Sequence, residues 1–178
     1  DENIELIYKN ENIINILEKD ITEYLIELSQ HNLPKENAEL VSEIYHTIND
    51  IERIGDHAEN IVELSINKLN NKVEISKEAV SEIEEIFEAT LSSLDIAIEC
   101  FSHINEGCKR KAENIEEHID SLDKKFRSNN IMRLNSKQCS ANAGVIFFDL
   151  LSNLERIGDH ANNIATVRKV HIHKIFRG

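Results

Sequence analysis

Tryptophan is absent from this chain, and one Pro, one Met and five Gly are all it carries of three other residue types. Pro and Gly punctuate chains, and so few breakers exclude a fold of many short strands joined by tight turns. Cysteine is scarce too. Cys100, Cys108 and Cys139 cannot all pair, and no Cys-x-x-Cys occurs, so the expectation is three reduced, buried thiols in a cytosolic protein. Basic residues are outnumbered, 20 Lys and Arg against 33 Asp and Glu, and the net charge of −13 excludes a nucleic-acid partner, which would need clustered positive charge. No apolar run approaches the roughly 20 residues of a membrane span. The densest, Gly144 to Phe148, is far too short, and no signal peptide is recognisable. The chain opens at Asp1 rather than Met, which suggests a piece excised from something longer.

What is present is helix-forming. Hydrophobic residues make up 40% and charged residues 30%, a globular balance. Apolar side chains recur at spacings of three and four almost throughout, which predicts five long helices. The first runs from Asn3 to Gln30 and the second from Lys35, just after Pro34, to Leu69. The third follows Ser76, a candidate N-cap, and stops near Gly107, a natural residue just past a helix end. The fourth covers Lys111 to Leu134 and the fifth Gln138 to Val170. Short connections between long amphipathic helices imply antiparallel bundles.

The strongest signal is a repeat. Residues 52–61 read ERIGDHAENI and residues 155–164 read ERIGDHANNI, nine identities in ten at an offset of 103. Helix periodicity explains shared apolar positions, but identity at Glu, Arg, Gly, Asp, His and Asn needs another reason. Two halves that keep the same polar residues suggest two equivalent sites, in a partial first repeat (1–72) and a second repeat (73–178). Gly55 and Gly158, inside helices, cost about 1 kcal/mol each against Ala, so close helix approach is expected at both.

The repeated polar residues look like oxygen ligands. Glu52, Asp56 and Asn60 follow i, i+4, i+8 spacing, as do Glu155, Asp159 and Asn163. Like charges four apart repel on a helix, and Arg53 and Arg156, adjacent in sequence, should point elsewhere. Folding the fourth and fifth helices about the turn at Asn135–Lys137 sets Glu116 and Asp120 opposite Asp159 and Glu155. Folding the first and second about Leu33–Pro34 sets Glu11 and Asn15 opposite Asp56 and Glu52. The first site therefore counts one charge fewer. Such oxygen sets suit Mg, Mn, Ca or Fe, whereas zinc would want more His or Cys. Against this stands the bland reading of acids on a solvated seam. His57 and His160 are expected to bond a neighbouring helix rather than a metal.

The two motif copies, Glu52 to Ala58 and Glu155 to Ala161, resemble the signature of the PhoU family. The resemblance covers nearly the whole chain. It implies an all-α fold of tandem three-helix bundles, the first here lacking its first helix. It also implies Glu/Asp-x-x-x-Asp motifs binding multinuclear metal clusters, of iron or zinc in the family, and a regulator of phosphate uptake and signalling rather than an enzyme. Asp50 to Ile61, Glu23-Tyr24-Leu25, Arg133-Leu134-Asn135, Cys139 and Gly144 look like the cytosolic C-terminal domain of bacterial sodium/phosphate cotransporters. That branch implies a membrane transporter domain on the same polypeptide and a place at the inner face of the cell membrane, with room for a homodimer. A free-standing PhoU-like regulator is the alternative.

Rival functions are weaker. A carboxylate-bridged di-metal enzyme needs Glu-x-x-His on two helices, and Glu43 to His46 supplies one, with no copy in the second half. A purely structural helical adaptor gives no reason for the duplicated polar residues. No nucleophile–base pair, phosphate-cradling Gly loop or dinucleotide fingerprint occurs.

Overall fold

Residues that favour helices and lack breakers form five of them in the computed structural model, which describes residues 2–102 and 106–167. They are α1 (Glu2–Ser29), α2 (Lys35–Asn70), α3 (Lys77–Ser102), α4 (Glu106–Asn135) and α5 (Ala141–Thr166). No strand occurs among the described residues. None of these helices is long and apolar enough to cross a membrane.

Local chemistry sets the ends. The Ser76 hydroxyl accepts from the Ala79 amide at 3.2 Å and opens α3. Ser140 does the same for Ala143 at 3.1 Å and opens α5, three residues later than the hydrophobic pattern suggested. The helices before these caps close alike. Lys72 and Lys137 take left-handed backbone, φ 50° and 56°, and the next amides reach back, Val73 to Lys68 O at 3.0 Å and Gln138 to Arg133 O at 2.9 Å. That is the six-to-one closure usually given to glycine. Gly107 ends nothing: α3 has already stopped at Ser102, and Gly107 lies in the first turn of α4. The expected last turn of the fifth helix, from Arg168 to Val170, lies outside the described residues.

The cysteine expectation is corrected here. Cys100 and Cys108 form a disulfide, with Cα atoms 5.5 Å apart, joining the end of α3 to the start of α4, and Cys139 alone is a free thiol. The eight-residue separation that looked like two unrelated thiols is the span of one helix–helix connection.

Helices α3, α4 and α5 pack on one another, α5 also packs on α2, and α1 lies chiefly on α2. The main core sits in the second repeat, where Ile86, Ile119, Phe126, Phe147 and Leu151 are fully enclosed. Equivalent positions in the first repeat are more open. Leu17 is 51% exposed where Leu122 is 4%, and Ile51 is 42% exposed where Leu154 is 2%. The first hairpin thus matches the second with its α3 removed.

Both repeat glycines sit where the hairpin helices touch. A Cβ on Gly158 would lie 2.9 Å from Ile119 Cδ1, and one on Gly55 would lie 3.3 Å from Ile14 Cδ1. Ile14 and Ile119 stand at matching places in the two hairpins, so the close approach is repeated along with the motif.

Candidate metal centre

Each motif lies on the helix that ends its repeat, and the hairpin partner brings the second set of acids. In the second repeat, Glu116 and Asp120 on α4 meet Asp159 on α5, with ligand oxygens all within 4.8 Å of one another. All three are half-buried. Glu155, one turn before Asp159, is half-buried beside them.

The electrostatics show that the acids crowd. Burial, then the charges of Asp120 and Asp159, push the Glu116 carboxyl above its ordinary range. Burial and Asp159 raise Glu155, with Asp123 and Asp120 adding to it and Arg156 opposing. Asp159 is raised by burial and by Asp120 against the pull of Arg156 and His160. Two cations soften the cluster from its rim. Lys124 bonds Asp120 at 2.8 Å. Arg156 reaches Glu155 at 3.6 Å and Asp159 at 3.5 Å. The expectation that Arg156 points elsewhere is therefore wrong, because its long side chain folds back along the helix to an acid three residues on. Both cations are well exposed and can swing aside.

The first repeat is looser. Asn15 donates to Glu11. Burial and the charge of Asp56 raise Glu52, with Glu18 adding a smaller push. Asp56 and Asn15 are exposed. No trio of ligand atoms as close as that of the second repeat forms there among the described residues. Glu59 was missed in the sequence reading: burial, then Glu11, Glu63 and Asp56, raise its carboxyl, so it stands among the acids. Asp123 was missed too, as a contributor to the field at Glu155, although Arg127 claims it at 2.7 Å. Their signal was available as Asp56–Glu59 and Asp120–Asp123 spacings of three.

Helix geometry turns Asn60 and Asn163 from the face that carries the acids. Eight residues along a helix overshoot two turns by about 80°, enough to change faces. Asn163 instead donates to Asp50 at 3.2 Å across the α2–α5 contact, and Asn60 lines a cavity with Asn153 and Asp149. The histidines bond neighbouring helices, His57 Nδ1 to Asn153 Oδ1 at 2.8 Å and His160 Nδ1 to Asp50 Oδ1 at 2.7 Å. Tyr45 and His46, from the lone Glu-x-x-His, line a cavity with Asp50 and Asn163 instead.

The donor set is all oxygen, concentrated and under-neutralised, and it fits a hard or borderline cation. Glu116, Asp120 and Asp159 would hold it, with Glu155 within reach. Fold and site together define an all-α protein of tandem repeats with an acidic cluster at the helix hairpin of the second. The chain belongs to the PhoU family: the family model for the PhoU domain matches residues 1–65 and 83–167. It is 26% identical over 159 residues to phosphate-specific transport system accessory protein PhoU homolog 1 of Thermotoga maritima, covering 89% of this chain and 68% of that protein. It is 29% identical over 170 residues to the PhoU homolog of Clostridium acetobutylicum, covering 92% of this chain and 75% of that protein. The crystal structure of PhoU from Pseudomonas aeruginosa superposes with a TM-score of 0.83 at 21% identity, over 92% of this chain and 78% of that one. PhoU from Streptococcus pneumoniae gives 0.74 at 23% identity, over 92% and 76%. These two confirm the fold.

The expectation of a transporter domain on the same polypeptide is overturned. The curated relatives it matches are named as accessory proteins of phosphate-specific transport systems, and none is named as a sodium/phosphate cotransporter.

Proposed function

We infer that this chain is a PhoU-type accessory protein that regulates phosphate transport from the cytoplasmic side by contacting a transporter encoded separately, with metal held at the α4–α5 acidic cluster as part of its structure. The observation that carries this reading is the family match across both repeats. The names of the curated relatives, accessory proteins of phosphate-specific transport systems, support the phosphate assignment. The crowding of Glu116, Asp120 and Asp159 supports the metal. The role we assign is regulatory, in keeping with the accessory role that the names of the curated relatives state.

Expression in a bacterium deleted for its own PhoU protein tests the reading. Uptake of radiolabelled phosphate should return to its regulated level. Uptake that stays at the deletion level would sink the proposal.

A further inference from the structure

Helix α3 carries large apolar residues on its outer side as well as its inner one. On the face turned to α4 and α5 the buried residues are mostly small, Ala79, Ala89, Thr90, Ser93, Ala97 and Cys100; Ile86 is enclosed there, and Ile83 and Leu94, half-buried, also pack inward. The larger side chains Val80, Phe87, Leu91 and Ile98 face outward, each 40% to 66% exposed. Their spacings of seven, four and seven hold them within about 40° of one another around the helix, in a single stripe running nearly its whole length. A helix that served only its own bundle would put large residues in and small ones out. An exposed apolar stripe rimmed by polar residues marks a surface that another molecule covers.

The rim identifies the chemistry of that molecule. Glu84, Glu88 and Asp95 run along one side of the stripe, at about 40° to 80° from its centre. All three are exposed or half-exposed, and no Lys or Arg among the described residues pairs with them. Glu99, farther round, already holds Lys111 at 3.4 Å. Unneutralised acids beside an apolar stripe call for a partner with apolar residues at helical spacing and Lys or Arg alongside. A second copy of this chain would bring the same acids to the same contact, and like charges across an interface are costly. The negative surface of a lipid bilayer is disfavoured for the same reason.

We propose that the outer face of α3 docks a basic amphipathic helix of a partner protein, with Val80, Phe87, Leu91 and Ile98 covering its apolar stripe and Glu84, Glu88 and Asp95 pairing its cations. This does not depend on the metal or on the phosphate assignment. It uses an exposed side of α3 and none of the residues of the acidic cluster.

The test uses the full chain and a labelled peptide of roughly five helical turns, leucine at three/four spacing with lysine alongside. Fluorescence anisotropy should show saturable binding. The double variant Phe87→Ser, Leu91→Ser should weaken it about tenfold or more, and the triple variant Glu84→Gln, Glu88→Gln, Asp95→Asn should weaken it several-fold and flatten its salt dependence. All five positions are at the surface, so the fold should survive, as circular dichroism will show. The double variant Leu17→Ser, Ile21→Ser on the equally bare α1 should bind as the parent does. No binding by the parent, or loss of binding in the α1 variant with retention in the α3 variants, overturns the proposal. So does sedimentation of the chain alone as a dimer that Leu91→Ser dissolves, because the stripe would then belong to a second copy.

Discussion

The rings of His57 and His160 stack across the contact between α2 and α5, 5.8 Å between centroids and 23° between planes. Each bonds the residue seven positions before the other: His57 takes Asn153, and His160 takes Asp50. Asp50 and Asn153 are themselves equivalent positions of the repeat. The contact is therefore symmetric in geometry and asymmetric in charge, and Asp50 also accepts from Asn163.

That asymmetry predicts unequal costs. Asp50→Ala removes a charged acceptor serving two donors and should cost roughly 1.5–3 kcal/mol, against roughly 0.5–1.5 for Asn153→Ala. Urea denaturation measures both. Equal losses would mean that the two histidine bonds are energetically equivalent despite the charge.

The glycines of the two motifs should respond differently to the same change. Ala in place of Gly gains about 1 kcal/mol of helix propensity. At Gly158 the new methyl meets Ile119, which is enclosed in the core and has no room to turn, so a net loss of about 1–2 kcal/mol is expected. At Gly55 it meets Ile14, half-exposed and free to yield, so Gly55→Ala should be neutral or stabilising. Thermal melts of the two variants check this, and a destabilised Gly55→Ala protein would contradict it.

Much of this was legible beforehand because helices and hairpins follow local rules. The three/four spacing placed all five helices, and the acids of Glu116 and Asp159 found each other once the turn near Lys137 was known. What escaped depended on distances around the helix or on side-chain reach. Asn60 and Asn163 were assigned to the acidic face because four-residue steps look collinear on paper, yet each step drifts about 40°. Arg156 was dismissed as a neighbour that faces away, yet its flexible stem returns to Asp159. The pattern sets a helix break near Gly107, between Cys100 and Cys108, but nothing in the spacing of the two cysteines marks them as a bonded pair.

The disulfide closes a short loop between two helices. Removing it should cost about 2–3 kcal/mol by the chain-entropy relation for a loop of this size. Cys100→Ser should melt lower than the parent under oxidising conditions and equal to it in strong thiol reductant. A parent melting temperature that reductant leaves unmoved would show that the bond contributes nothing.

The crowded acids set a pH dependence. Glu52, Glu59, Glu116, Glu155 and Asp159 all titrate above their ordinary range in the folded chain. The folded state therefore binds protons more readily than the unfolded one, and folding stability falls as pH rises through that window. Metal-free protein should melt higher near pH 5 than near pH 7.5, by roughly 2–4 °C for each kcal/mol recovered. Glu78, held low by a backbone N–H at the start of α3, opposes this from a fully exposed position. Asp159→Asn should shrink the pH effect. A melting temperature that rises with pH across this range would refute the account.

The second repeat should bind metal more tightly than the first. A count of charges favours it, four carboxylates at Glu116, Asp120, Glu155 and Asp159 against Glu11, Glu52 and Asp56 with Asn15 in the fourth place. Glu59 weakens that count, since its carboxyl joins the first set. Geometry then decides. The second repeat already holds three ligand atoms within 4.8 Å, so little reorganisation precedes binding. In the first, Asp56 and Asn15 are exposed and nothing among the described residues packs where α3 packs on the second hairpin. Supporting contacts of that kind typically change metal affinity by about 10–100-fold. Metal should accordingly leave the Glu52/Asp56 set first as chelator is added. Iron, manganese, magnesium and zinc are each to be titrated into chelator-stripped protein, with Asp159→Asn and Asp56→Asn alongside. Asp159→Asn should abolish the tight phase and the accompanying rise in melting temperature, while Asp56→Asn removes only the weak phase. Identical titrations for the two variants, or an absence of binding by the parent for all four ions, would end the proposal.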